Sequence, residues 1–305
     1  MQTKNKINVQ LLLFIGATHE DLNTKNNYIM KKFLFVCAIA MLGFGQANAQ
    51  DLEPADYGYF NHLAAGITLG TDGIGVEVAA PLTYQFSVRA GFEFMPKFKY
   101  KKTENLGQDP AFDRYPYDQE IDLEGKVNLF QGKLLFDYYP FAKSSFHLTA
   151  GAYFGSSDVV KVTNRNNFVE PDQWGTAGLQ LGAGDGVYDK YTAVTDKNGN
   201  LNVNMRVNGF RPYLGVGFGR AVPSKHRVSV QFDLGVQFWG KPKVMGHLMY
   251  FDGNEGDFVT RYEDVNTNRI TNTKDDYQDI KDIIQDVKKI YVYPVLNIRI
   301  NGRIF

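Results

Sequence analysis

Cysteine is almost missing from this chain: Cys37 is the one cysteine among 305 residues. It lies in an apolar stretch near the N-terminus, so the segment after residue 49 has no disulfide, no thiolate nucleophile and no cysteine-built metal site. Histidine is scarce too, five in all, and no two stand at a metal-ligand spacing. Charge of one sign is lacking, with 33 basic against 33 acidic side chains. Residues 1–49 hold five Lys and two acidic residues, so the rest keeps 33 − 5 = 28 basic and 33 − 2 = 31 acidic, a net of −3. Nothing in that balance points to nucleic acid. Long apolar runs are lacking as well. Beyond residue 49 none reaches the length of a membrane-crossing helix.

The N-terminal region has an order of its own. Lys31-Lys32 precede the uncharged apolar run Phe33–Gly45, and Ala47-Asn48-Ala49 follows. A basic start, a short apolar core and a small-residue end predict a cleaved export signal over 30–49. Residues 1–29 read as an upstream extension ahead of Met30, and 50–305 as the folded domain.

That domain is rich in Phe and Tyr and alternates with a period of two. Strands are predicted over 62–70, 74–81, 85–95, 121–139, 145–156, 207–220, 227–239 and 291–305. The pattern is clearest in 227–239. There Val228, Val230, Phe232, Leu234, Val236 and Phe238 alternate with Ser229, Gln231, Asp233, Gly235 and Gln237. In 121–139 the apolar parity changes near Phe130-Gln131, which predicts a β-bulge. The connections alternate in length. Those at 81–84, 141–144 and 223–226 are short, and those at 96–120, 157–206 and 240–290 are long. A chain in a bilayer without helices has the closed barrel as its solution. The expected fold class is all-β: an eight-stranded antiparallel transmembrane up-and-down barrel with long extracellular loops. A soluble sandwich or lipocalin-like barrel is the alternative, with apolar residues inside. Glycine on one face opposite Phe, Leu and Val on the other favours a small polar lumen.

The run Phe210-Arg-Pro-Tyr-Leu-Gly-Val-Gly-Phe-Gly219, followed by Val228–Val236 and matched by Ala65–Glu77, resembles the small outer-membrane β-barrel proteins of Gram-negative bacteria. This is the broad porin-like group with the outer-membrane protein A barrel architecture. The resemblance spans most of 58–305 and is carried by Gly–aromatic alternation. It implies outer-membrane lipid as surroundings and a C-terminal strand, ending in Phe305, read by the barrel-assembly machinery. Arg303 stands where such a signal has an aromatic residue.

Within the long connections, Asn198-Gly199 between alternating flanks predicts a β-hairpin. A short loop helix is predicted over 273–290, with Thr273-x-x-Asp276 as its start and an apolar stripe of Ile280, Ile283, Ile284 and Val287. That stripe is expected to pack on the barrel rim or another loop.

The inward register places Glu77, Glu93, Glu124, Asp137 and Asp233 with Arg89, Lys126, Lys133, Arg211, Arg299 and Arg303, together with Tyr213. Unpaired charge in a narrow barrel costs several kcal/mol, so the near balance of signs predicts a polar network that fills the lumen. His147, with Thr149 beside it, comes nearest to a hydrolase arrangement, and a structural role suits it better. No catalytic residue, cofactor or metal site is expected. The reading that follows is a non-enzymatic barrel, structural or binding an extracellular or envelope protein partner through its loops. A small channel for ions or modest solutes is the alternative. A lipid-modifying barrel enzyme is the weaker one.

Overall fold

The computed structural model describes residues 57–96, 99–105, 120–141, 144–182, 190–223, 228–270 and 275–304. The proposed export signal, the segment ahead of it, Thr273 and Phe305 lie outside these. Strands are numbered in chain order. Eight of them close a barrel: β1 (Ala64–Gly70), β2 (Gly73–Pro81), β3 (Phe86–Phe94), β6 (Phe130–Tyr138), β7 (Phe146–Gly155), β12 (Phe210–Phe218), β13 (Val228–Phe238) and β16 (Val292–Arg303). Neighbours are antiparallel throughout, and β16 closes the ring on β1, with Ile300 opposite Ile67.

The alternation decides which way each side chain faces. Ile67, Val76, Phe92, Phe136, Leu214, Leu234 and Ile300 form an exposed apolar belt, while Arg89, Asp137, Gln231 and Arg299 on the same strands are buried inside. A soluble barrel has the opposite arrangement. An apolar outer belt around a charged interior is the transmembrane one.

The long connections fold rather than trail. They supply β4 (Lys99–Asn105), β5 (Glu120–Val127), β8 (Asp158–Asn164), β9 (Gly178–Gly182), β10 (Tyr191–Val194), β11 (Asn202–Arg206), β14 (Lys243–Asp252) and β15 (Asp257–Asp264), joined in a second sheet. This sheet prolongs the barrel wall. Backbone bonds bridge the seam, from Asn128 to Val159 (2.9 Å), from Ser156 to Phe130 (2.9 Å) and from Val207 to Ser157 (2.9 Å). The cap so formed has its own core of Ile121, Tyr191, Val244, Leu248, Tyr250 and Ile284. Ile284 comes from the helix α1 (Asp275–Val287), whose Val287 packs on the same cluster, so these two members of the stripe face the cap. Burial pushes the Tyr191 phenol up to about 12, against the Asn266 N–H that its oxygen accepts.

Three expectations need correction. The bulge expected at Phe130-Gln131 lies on the neighbouring path: Val127 faces Val160 and Gln131 faces Gly155, so β7–β8 carries one residue more than this strand across the seam. Phe136, Leu134, Phe130, Asn128 and Lys126 all keep one face, and the surroundings change instead. Below the seam the outside is lipid and the inside polar. Above it the outside is water, and Leu123 and Leu129 pack inward. The apolar face therefore swaps sides while the strand continues. For the same reason Glu124 and Lys126 lie on the outer face of the cap, not in the lumen. Lys126 holds the Glu124 carboxyl below the usual range through a hydrogen bond. Finally, Asn198-Gly199 does turn the chain, with Gly199 at φ +75°, but β10 and β11 do not pair with each other. Both pair with β14, at Tyr250 and Met245 respectively.

Candidate functional site: the barrel lumen

Seven charged residues from five strands meet inside the barrel. Lys133 of β6 places its Nζ 2.7 Å from Glu77 of β2 and 2.6 Å from Glu93 of β3. Arg299 of β16 lies 2.6 Å from Glu77 and also bonds Asp233 of β13. Arg89 of β3 lies 2.5 Å from Asp137 of β6 and 3.5 Å from Asp233. Each carboxylate therefore serves a cation from another strand, and the side chains of Arg89, Lys133, Arg299 and Glu77 are 1 % exposed or less. A pair this deep gains little net stability, because desolvation offsets attraction. Its effect is to hold the strands in one register and to occupy the space.

Uncharged groups complete the network. The Thr149 hydroxyl donates to Asp137 at 2.7 Å, and the Gln131 amide to Glu93 at 3.2 Å and to Asp72 at 3.4 Å. His147 is fully buried, with Nε2 2.9 Å from Asp233 and Nδ1 3.2 Å from the Ser145 carbonyl oxygen. Enclosed in this way, it has no access to an acyl ester outside the wall. Inward glycines make room for these groups. A Cβ on Gly217 would stand 2.4 Å from His147 Nε2, and one on Gly235 2.4 Å from Tyr213 Oη.

Buried side chains stand at both ends. At the short-turn end Arg220, Ala221 and Val222 fold into the mouth, with the Arg220 guanidinium 4.6 Å from the Tyr139 ring and 4.7 Å from the Tyr84 ring. Ser229 donates to the Arg220 carbonyl oxygen at 3.2 Å, and Arg303 to that of Pro223 at 3.3 Å. At the cap end Tyr153 and Tyr213 meet edge to face at 5.4 Å, and Trp239 stacks on Tyr293 at 4.5 Å.

Of the predicted lumen residues, the structure joins Glu77, Arg89, Glu93, Lys133, Asp137, Asp233 and Arg299 in one network and buries Tyr213 above it. Arg211 stands apart: it is fully buried, and none of its three guanidinium nitrogens has a partner among the described residues. Arg303 sits at the mouth. Sequence reasoning missed Asp72 and Gln131, and it put Gln231, Asn297 and Asn301 on the polar register without adding them to the network. All but Asp72 sit on the inward parity of predicted strands.

No family model and no curated protein matches this chain. Among solved structures it is similar to two from Acinetobacter baumannii. CarO is 15 % identical with a TM-score of 0.41, covering 80 % of this chain and 99 % of its own. CarO2 is 14 % identical with a TM-score of 0.40, covering 79 % of this chain and 98 % of its own.

Proposed function

We propose that this protein is an exported outer-membrane barrel that does not conduct and acts through its folded cap, in an envelope-structural or partner-binding role. The observation that carries this reading is the set of buried groups inside the barrel: the Arg220–Val222 segment, the charged network and the Tyr153–Tyr213 pair. Eight strands enclose only enough room for side chains or one small ligand. The cap, with a core of its own, is the part built for recognition. The short-turn mouth faces the periplasm in this reading, and the strand leading to Phe305 is the segment offered to barrel assembly.

The test is planar-bilayer conductance of the exported protein purified from outer membranes, after a heat-modifiable gel shift has established the closed barrel. Silence is expected. Steady conductance that changes in Arg89→Met or Lys133→Met would overturn the reading in favour of a small ion or solute channel.

A further inference from the structure

The outer wall carries a depression that no lumen role explains. On the lipid side an open groove of about 890 Å³ runs across β1, β2, β3, β6 and β7. Ala65, Ala90 and Gly132 leave it shallowly hollow among the exposed side chains of Ile67, Phe92 and Phe130. Just above, at the seam, lies a polar notch of about 410 Å³ lined by Asn128, Ser156, Ser157, Asp158, Lys161 and Arg206. The two adjoin. Phe130 of the groove is two residues from Asn128 of the notch, and Phe154 is two residues from Ser156, on adjacent paths of the wall. The exposed rings of Phe94, Phe130, Phe154 and Phe210 mark the level where lipid gives way to water.

Above that girdle the outer face is basic. Lys99, Lys126 and Lys161 stand directly opposite one another on β4, β5 and β8. Arg206 and Lys243 do the same on β11 and β14. Strands lie roughly 4.8 Å apart, so these five cations span about 19 Å of wall. Two carboxylates stand among them: Glu124, 2.7 Å from Lys126 and 3.8 Å from Lys99, and Asp158, 2.6 Å from Arg206. The balance is 5 − 2 = 3 positive charges, and Lys161 and Lys243 have no ion pair among the described residues. Like charges directly opposite in a sheet repel. An anion lying against the wall reverses that effect.

We propose that this face binds an anionic outer-leaflet lipid with a multiply phosphorylated headgroup, its acyl chains in the groove and its phosphates along the cationic row. A single phosphate meets one or two of these side chains. A row spanning five strands matches a headgroup with several, and Arg206 and the lysines are the phosphate-binding types. The inference rests on the cap lying beyond the membrane surface, not on whether the lumen conducts.

The test is thermal unfolding and native mass spectrometry of the purified protein in neutral detergent. Three probes are titrated: bisphosphorylated lipid A, its dephosphorylated form and phosphatidylglycerol. The bisphosphorylated probe is expected to raise the unfolding midpoint and persist as an adduct. The other two should bind at least about tenfold more weakly. Lys126→Glu with Lys161→Glu should weaken the bisphosphorylated probe by about tenfold or more. Gly132→Leu, which fills the groove where the Phe92 ring (3.5 Å) and the Gly91 carbonyl oxygen (3.7 Å) stand at ordinary contact distance from an added Cβ, should weaken it with the cations intact. The heat-modifiable shift establishes that each variant folds, and Lys161→Gln replaces the double variant if that one does not. Equal binding of phosphatidylglycerol, or unchanged affinity in both kinds of variant, overturns the proposal. A conducting barrel that still binds the lipid would sink the functional reading above and leave this one standing.

Discussion

Arg299 of the last strand donates to Glu77 of the second at 2.6 Å, reaching across β1 at the point where the ring closes. The bond ties the first hairpin to the closing strand. Removing either partner leaves a buried charge short of its counter-charge, at a cost of about 3–5 kcal/mol. Glu77→Met and Arg299→Met should therefore each lower the urea midpoint in detergent. The double variant should fall well short of their sum, because Lys133 keeps Glu93 and Asp233 keeps His147. Additive losses would mean the two residues act independently.

The seam between barrel and cap predicts opposite outcomes for one substitution on one face. Phe136 and Asn128 both point outward along the same path of chain, Phe136 within the apolar belt and Asn128 beyond the girdle. Phe136→Arg should cost about 2–4 kcal/mol, as a cation facing lipid does. Asn128→Arg should stay within about 0.5 kcal/mol of the parent, as an exposed change does. Folding into liposomes, followed by the mobility shift, measures both. Equal costs would place the membrane boundary elsewhere.

The same seam explains what the sequence could and could not tell. Alternation in Val228–Phe238 was legible because each face of a membrane strand meets one uniform medium. In 121–139 it looked like a bulge because the medium changed midway. The second sheet was not legible. Its pairs, such as Lys126 with Lys161 or Arg206 with Lys243, join distant segments whose register no local pattern encodes. The Asn198-Gly199 signal was followed at the turn, yet β14 offered both flanking strands a longer edge than they could offer each other. Lumen residues could be named from parity alone. Their partners depend on reach, as when Lys133 passes over β3 to Glu77, and so the isolation of Arg211 was invisible.

The turn at Asp196–Asn200 should report on the cap alone. Asp196 accepts the N–H groups of Asn198 (2.8 Å) and Asn200 (3.0 Å) and the Asn202 amide (2.9 Å). Burial works against its charge, but those backbone donors prevail and hold its carboxyl below the usual range. A carboxylate with a depressed folded pKa stabilises fully above its unfolded value of about 3.9, and that contribution is lost as pH falls through the folded value. Asp196→Ala should cost about 1–2 kcal/mol at neutral pH and progressively less in acid. Hydrogen exchange should show faster opening at Val203–Arg206 with β13 unchanged. Slower or equal exchange in the cap would discount the turn.

Arg211 offers the sharpest test of the lumen. Its guanidinium is buried without a hydrogen-bond partner among the described residues. The carboxylates of the lumen are engaged elsewhere: Glu77, Glu93, Asp137 and Asp233 by other lumen cations, and Asp72 by Gln131. Tyr153 stands directly opposite on β7 and offers a ring rather than a charge. Replacing a buried ion pair with apolar residues of similar volume is often neutral or stabilising by about 1–4 kcal/mol, and removing Arg211 strands no counter-charge among the described residues. Arg211→Met should therefore raise the unfolding midpoint, whereas Arg89→Met, which strips Asp137 of its cation, should lower it. The contrast separates a charge that holds the network together from one that only occupies its space. A loss of stability in Arg211→Met comparable to that in Arg89→Met would mean that Arg211 is paired in the folded barrel.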